Sequence, residues 1–106
     1  MSKTAGTLFA LAAIGALHAA AAAQDTQSLQ VASLAATCAS CHGTQGQAAP
    51  GSALPSLAGM PAETLLTQLK AFKSGSRPAT IMTQLSKGYS DAQLEQLAAY
   101  FAAQGK

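Results

Sequence analysis

The amino-acid sequence predicts a small all-α domain behind a short N-terminal leader. Apolar residues recur at three- and four-residue spacing in segments set apart by glycine and proline, and no stretch alternates apolar and polar residues as a half-buried strand does. At 106 residues the chain is one domain at most.

The leader comes first. Met1, Ser2 and Lys3 supply a positively charged start, Leu8 to Leu17 an uncharged apolar run, and Ala19 to Ala23 the small residues a signal peptidase accepts. This pattern is a secretory signal, residues 1–23, cleaved after Ala23 to leave residues 24–106 as the mature domain, with an uncleaved N-terminal anchor as the alternative. The apolar run is shorter than the roughly 20 residues that a membrane-spanning helix needs. The expectation is export to the periplasm without a membrane span.

In the mature domain Lys70, Lys73, Arg77, Lys87 and Lys106 face Asp25, Glu63, Asp91 and Glu95, a nearly even balance. A nucleic-acid-binding domain needs a basic stripe, so that class is excluded. Long-range electrostatic steering of a charged partner is weak for the same reason. A domain this short buries only roughly 60–65% of its unfolded surface and needs a staple or a cofactor to hold it. With two cysteines and no tryptophan, a large planar apolar cofactor would supply the missing core.

The first helix of the domain is expected from Gln27 to Ala36, with Leu29, Ala32 and Ala36 on one stripe and Val31 and Leu34 beside it. The stretch from Gly43 to Gly59 is rich in glycine and proline and cannot be regular helix. A loop of that length in a compact domain is usually functional, wrapped around something. Pro61 suits the first turn of a second helix, with Leu65, Leu66, Leu69 and Phe72 inward and Lys70 and Lys73 on the wet side. Gly75 ends it. Arg77 before Pro78 forces an extended step, and Thr80 to Lys87 makes a short helical turn closed by Gly88. In the last helix, from Asp91 to about Gln104, Ser90 and Gln93 form a capping box, Tyr89 and Leu94 a hydrophobic staple, and Leu94, Leu97, Ala98 and Phe101 the buried stripe.

The chemistry lies in Cys38-Ala39-Ser40-Cys41-His42, a C-x-x-C-H motif. Two thiols at this spacing can add across the two vinyl groups on one edge of a haem and form thioethers. The histidine that follows then points its imidazole at the iron, and the motif reads as c-type haem attachment. Three rivals use the same residues. A thioredoxin-like C-x-x-C sits in a βαβ pattern, which is missing here. A structural zinc site needs four ligands, and the fourth, His18, lies in the leader. A plain disulfide is the third rival.

His42 is the one histidine of the mature domain, so a second histidine cannot bind the far side of the iron. Methionine can, and it raises the reduction potential. Met82 lies on an isolated loop between two helices and is the better candidate. Met60, beside Pro61 at a helix start, reads as core filler and stays the alternative. An iron-bound imidazole donates its other N–H to a carbonyl as a rule, and the carbonyl of Pro55 is the expected acceptor. Arg77, Lys87 and Tyr89 are candidates to reach the haem propionates or to line the methionine loop, against plainer readings as solvated cations and a staple residue.

With these residues in order, the chain resembles the class I cytochromes c: helix, C-x-x-C-H, glycine-rich loop, Pro55-Ser56-Leu57, helix, methionine loop, C-terminal helix. The resemblance implies the small class I fold, crossed N- and C-terminal helices around one covalent haem c. It also carries the thioether role onto Cys38 and Cys41 and the axial roles onto His42 and Met82. Cys41-His42-Gly43-Thr44-Gln45-Gly46 and Leu57-Ala58-Gly59 are similar to the cytochrome c4/c553 group. Phe72-Lys73-Ser74-Gly75, Ala79-Thr80-Ile81-Met82 and Lys87-Gly88-Tyr89-Ser90-Asp91 resemble the cytochrome subunit of flavocytochrome c sulfide dehydrogenase. That subunit accepts single electrons from a flavoprotein carrying FAD and catalyses no bond chemistry itself. The resemblance therefore implies a monohaem electron-transfer protein, with a flavoprotein and further redox proteins as partners. A free carrier between a membrane reductase and a terminal acceptor is the alternative, and a haem sensor with an open iron position a third.

Overall fold

The computed structural model describes the backbone of residues 4–105 and the side chains of residues 22–105. The charged start of the expected leader, Met1 to Lys3, lies outside the described residues. Among the described residues four α-helices are present: α1 Thr4–His42, α2 Ala62–Ser74, α3 Met82–Lys87 and α4 Asp91–Ala102. A 3-10 turn, Thr44–Gly46, follows α1, and no strand occurs among the described residues. The chain divides between Gln30 and Val31 into two units. The described residues of the first belong to α1; the second holds the end of α1 and the described elements after it. Among the described residues no helix is long and apolar enough to cross a membrane.

The first expected helix differs from the observed one in length and in facing. α1 does not stop at Ala36 but carries the helix through Cys38 and Cys41 to His42. Its inward face is therefore set by the motif. Val31, Ala35, Cys38 and His42 recur at steps of four, three and four, which is one helical stripe. Ala35 is buried at 3%, whereas Leu29 is 68% exposed and Ala36 is exposed too. The stripe through Leu29, Ala32 and Ala36 is thus one position out of phase.

The core is a cluster of Ala35, Leu57, Leu65, Leu97, Ala98 and Phe101, with Leu34, Cys38, Met60, Leu66, Leu69, Tyr89 and Tyr100 packed against it. The end of α1 and α4 meet in this cluster, and α2 packs on both α3 and α4. The inward residues expected for α4 are all buried. Its capping box is complete: Gln93 N–H donates to Ser90 Oγ at 3.2 Å, and Ser90 N–H donates to Gln93 Oε1 at 2.9 Å. α2 follows Pro61 and ends at Gly75, whose N–H donates to Phe72 O at 3.1 Å.

Gly46 fastens the loop to this core. Its φ is 78°, and a Cβ there would lie 2.7 Å from Phe101 Cδ1 and 3.0 Å from Leu57 Cβ. Its carbonyl accepts from Leu57 N at 2.8 Å and Ala58 N at 3.1 Å, and from Ser56 Oγ at 2.8 Å. Further along, Gly59 N donates to Phe101 O at 2.9 Å.

Lys73 does not stay on the wet side as its place in α2 suggests. Its long stem carries the ammonium across to the start of α4, where Nζ donates to Tyr89 O at 2.7 Å and to Asp91 Oδ1 at 2.7 Å. Lys73, first by this hydrogen bond and then by its charge, holds the Asp91 carboxyl below the usual carboxylate range.

Two outcomes are expected. Gly46→Ala should lower unfolding stability by about 2–4 kcal/mol, from the left-handed backbone and the overlap with Phe101, read as a lower urea midpoint of the haem-loaded protein. Asp91→Asn should be less stable than the parent at neutral pH. Because the folded carboxyl has the lower pKa, its contribution exists above about pH 4 and fades as the pH falls through the folded value. The difference between the two proteins should therefore close on acidification, and a constant gap would count against the pairing.

Candidate haem site

The last turns of α1 present Cys38, Cys41 and His42 at positions i, i+3 and i+4, neighbours on one helical face. Cys38 is half-buried, Cys41 is exposed, and both thiols are free. Burial pushes the Cys38 thiol up from its ordinary value; the Thr37 hydroxyl draws it partly back, and Cys41 adds a lesser upward push.

His42 is buried, at 8% exposure. Its Nδ1 stands 2.7 Å from the carbonyl oxygen of Pro55. A carbonyl only accepts, so in the neutral ring Nδ1 carries the proton and Nε2 keeps its lone pair. Among the described residues no protein group hydrogen-bonds Nε2. The imidazole is thus oriented through one nitrogen and offers the other as a ligand. The local fold explains why Pro55 is there. Gly46 turns the chain just beyond His42, and its carbonyl pins Ser56, Leu57 and Ala58, which lays the preceding carbonyl against the imidazole.

Met82 is half-buried and opens α3, directly after the exposed Ile81. Met60 packs against the core cluster, and its N–H donates to Leu57 O at 3.1 Å. The segment that carries Met82 is fastened at both ends. At the start, Arg77 N–H donates to Ala71 O at 3.1 Å. Its guanidinium lies 4.6 Å from the centre of the Phe72 ring and bonds the Gln68 side chain. At the end, the Tyr89 hydroxyl meets Thr37 Oγ1 at 2.6 Å.

The sequence reasoning missed that last contact. It offered Tyr89 as a staple residue, a propionate partner or a lining of the methionine loop, without a partner in α1, and the ring packs against the core. No periodicity links Thr37 to a tyrosine in a different segment; a hydroxyl beside each end of the motif-bearing elements was the one available hint.

The residues fit a haem. Two free thiols sit beside an oriented imidazole. Leu54 at 45%, Ile81 at 62% and Leu85 at 47% exposure leave large apolar side chains uncovered on the two segments that the sequence assigns to the haem wrap. Ser86 Oγ, in the methionine segment, is buried without a hydrogen-bond partner. By contrast, no three His, Cys, Asp or Glu side chains gather as a metal-binding group among the described residues, so a zinc donor set is not assembled.

The comparisons with known proteins agree. Residues 29–104 match the cytochrome c family model. The chain is 40% identical over 59 residues to the cytochrome subunit of sulfide dehydrogenase from Chlorobaculum tepidum, an alignment covering 56% of this chain and 52% of that one. It is 37% identical over 60 residues to the thiosulfate dehydrogenase electron acceptor from Thiomonas intermedia, covering 57% of this chain and 28% of that one. Among solved structures, cytochrome c4 from Acidithiobacillus ferrooxidans superposes with a TM-score of 0.58 at 38% identity, over 62% of this chain and 37% of that one. The matched stretches span about half or less of these longer relatives. An all-helical fold among the described residues, a C-x-x-C-H motif and a family match across most of the chain lead to one conclusion: the chain belongs to the cytochrome c family, and its motif is that of covalently bound haem c.

Proposed function

We propose that this chain is the electron-accepting haem subunit of a periplasmic flavocytochrome c sulfide dehydrogenase. Residues 1–23 are its export signal and residues 24–106 its working domain. Cys38 and Cys41 would hold the haem as thioethers, His42 and Met82 would ligate its iron, and the Pro55 carbonyl orients the His42 ring. When bound, the haem supplies an iron that gains and loses one electron at a time.

The carrying observation for the electron-transfer role is the His42–Pro55 hydrogen bond of 2.7 Å, since in the neutral ring it places the proton on Nδ1 and leaves the Nε2 lone pair for iron. Met82 contributes a neutral, soft thioether that favours ferrous iron and raises the potential. The subunit assignment is supported by the likeness to the Chlorobaculum tepidum cytochrome subunit. In that arrangement a partner flavoprotein carrying FAD takes two electrons from sulfide and delivers them singly to this chain. The near-neutral surface suits a lasting subunit contact better than charge-steered encounters.

A second reading, a free carrier of the c4/c553 type, is favoured by the structural likeness to cytochrome c4 and by the thiosulfate dehydrogenase electron acceptor among the relatives. Native purification after expression with a periplasmic haem-attachment system separates the two. A flavin-bearing companion that reduces the haem on addition of sulfide supports the subunit. A monomer that no native flavoprotein retains or reduces overturns it in favour of the carrier.

Two variants test the site. Met82→Ala should keep covalent haem, lose the weak far-red methionine–ferric band and show a lower reduction potential; an unchanged spectrum would shift the ligand to Met60. A Cys38→Ala, Cys41→Ala chain should be largely unfolded by circular dichroism, because so short a domain lacks sufficient core without the cofactor. A cooperative helical melt of that chain would refute the expectation.

A further inference from the structure

The contact between Tyr89 and Thr37 joins the two parts of the chain that must face each other across the haem. Thr37 immediately precedes Cys38 in α1. Tyr89 follows α3, the helix that Met82 begins. Among the described residues, theirs is the one hydrogen bond between α1 and the segment from Ser76 to Ser90. The anchor at the other end of this segment, Arg77, holds to α2 instead.

The direction of the bond follows from the neighbours. Thr37 Oγ1 donates its single proton to Leu34 O at 2.7 Å. It therefore accepts from Tyr89, and the phenol is the donor. Tyr89 is held for this purpose from three sides. Its ring packs on the core cluster, its carbonyl accepts from Lys73 Nζ at 2.7 Å, and the next residue caps α4. A hydroxyl on a ring so fixed is a rigid donor, and Thr37 is already oriented by its own bond to α1.

From this geometry we infer that Tyr89 is a positioning residue for the sixth iron ligand. Its phenol clasps the Met82 segment to the haem-attachment helix and holds that segment closed. The inference rests on Met82 as the axial ligand. An external ligand can reach the iron only when the segment swings away, so its apparent affinity scales with the population of the open form. Loss of the clasp enlarges that population by the factor that one hydrogen bond represents.

The test uses the haem-loaded ferric protein titrated with imidazole, with the far-red methionine band and the melting temperature recorded alongside. Tyr89→Phe keeps the ring and removes the hydroxyl. It should retain the band yet bind imidazole about three- to tenfold more tightly, the range a single net hydrogen bond supports. Thr37→Val should tighten binding to a similar extent and add nothing in the Tyr89→Phe background, as expected for two halves of one contact. Thr37→Ser, which keeps the acceptor, should behave as the parent. A Tyr89→Phe protein with a lower melting temperature but unchanged imidazole affinity would make the contact merely structural and overturn the inference. Full additivity of the two variants would overturn it equally. A parent protein without the methionine band would overturn the Met82 assignment itself, and the clasp with it.

Discussion

Gly46 lies so close to the Phe101 ring that a methyl group in its place would sit 2.7 Å from Cδ1, while its carbonyl gathers the amides of Leu57 and Ala58 and the hydroxyl of Ser56. Much of the site depends on this close approach. It locks the turn after the haem motif to the buried face of α4, and it sets the register between residue 46 and residue 57. That register delivers the Pro55 carbonyl to His42 Nδ1. The His42 imidazole is thus aimed by a chain of contacts that ends in the hydrophobic core. Two further amides reinforce the same junction: Gly59 reaches Phe101 O at 2.9 Å, and the Gln47 side chain reaches Gly105 O at 2.9 Å.

What the sequence made legible was local. The capping box of Ser90 and Gln93, the stop at Gly75 and the buried stripe from Leu94 to Phe101 each follow from spacings of a few residues, and the structure has them. C-x-x-C-H names its own chemistry because its spacing matches a cofactor edge. The acceptor for His42 was also foreseeable, since an iron-bound imidazole needs one and few carbonyls lie within reach.

What was not legible was long-range. The facing of α1 came out one position wrong because its stripe was read from Leu29 and Ala32, as though the helix stopped at Ala36. The helix runs on to His42, and the residue that must be buried there decides which side turns inward. Lys73 looked like an ordinary solvated cation because a helical wheel shows where a side chain starts, not how far a four-carbon stem can reach. The meeting of Thr37 and Tyr89, 52 residues apart, has no local signature at all.

The tie between the loop and the end of α4 also has a temporal side. Gln47 and Gly105 are 58 positions apart, and the bond from Gly59 likewise waits for Phe101. Contacts so distant in sequence carry a large closure entropy and slow the folding of the domains that depend on them. As the chain emerges from its N-terminal end, Cys38, Cys41 and His42 appear well before the residues that fold the loop over them. The contacts that close the loop over the motif therefore wait until the last helix has been made.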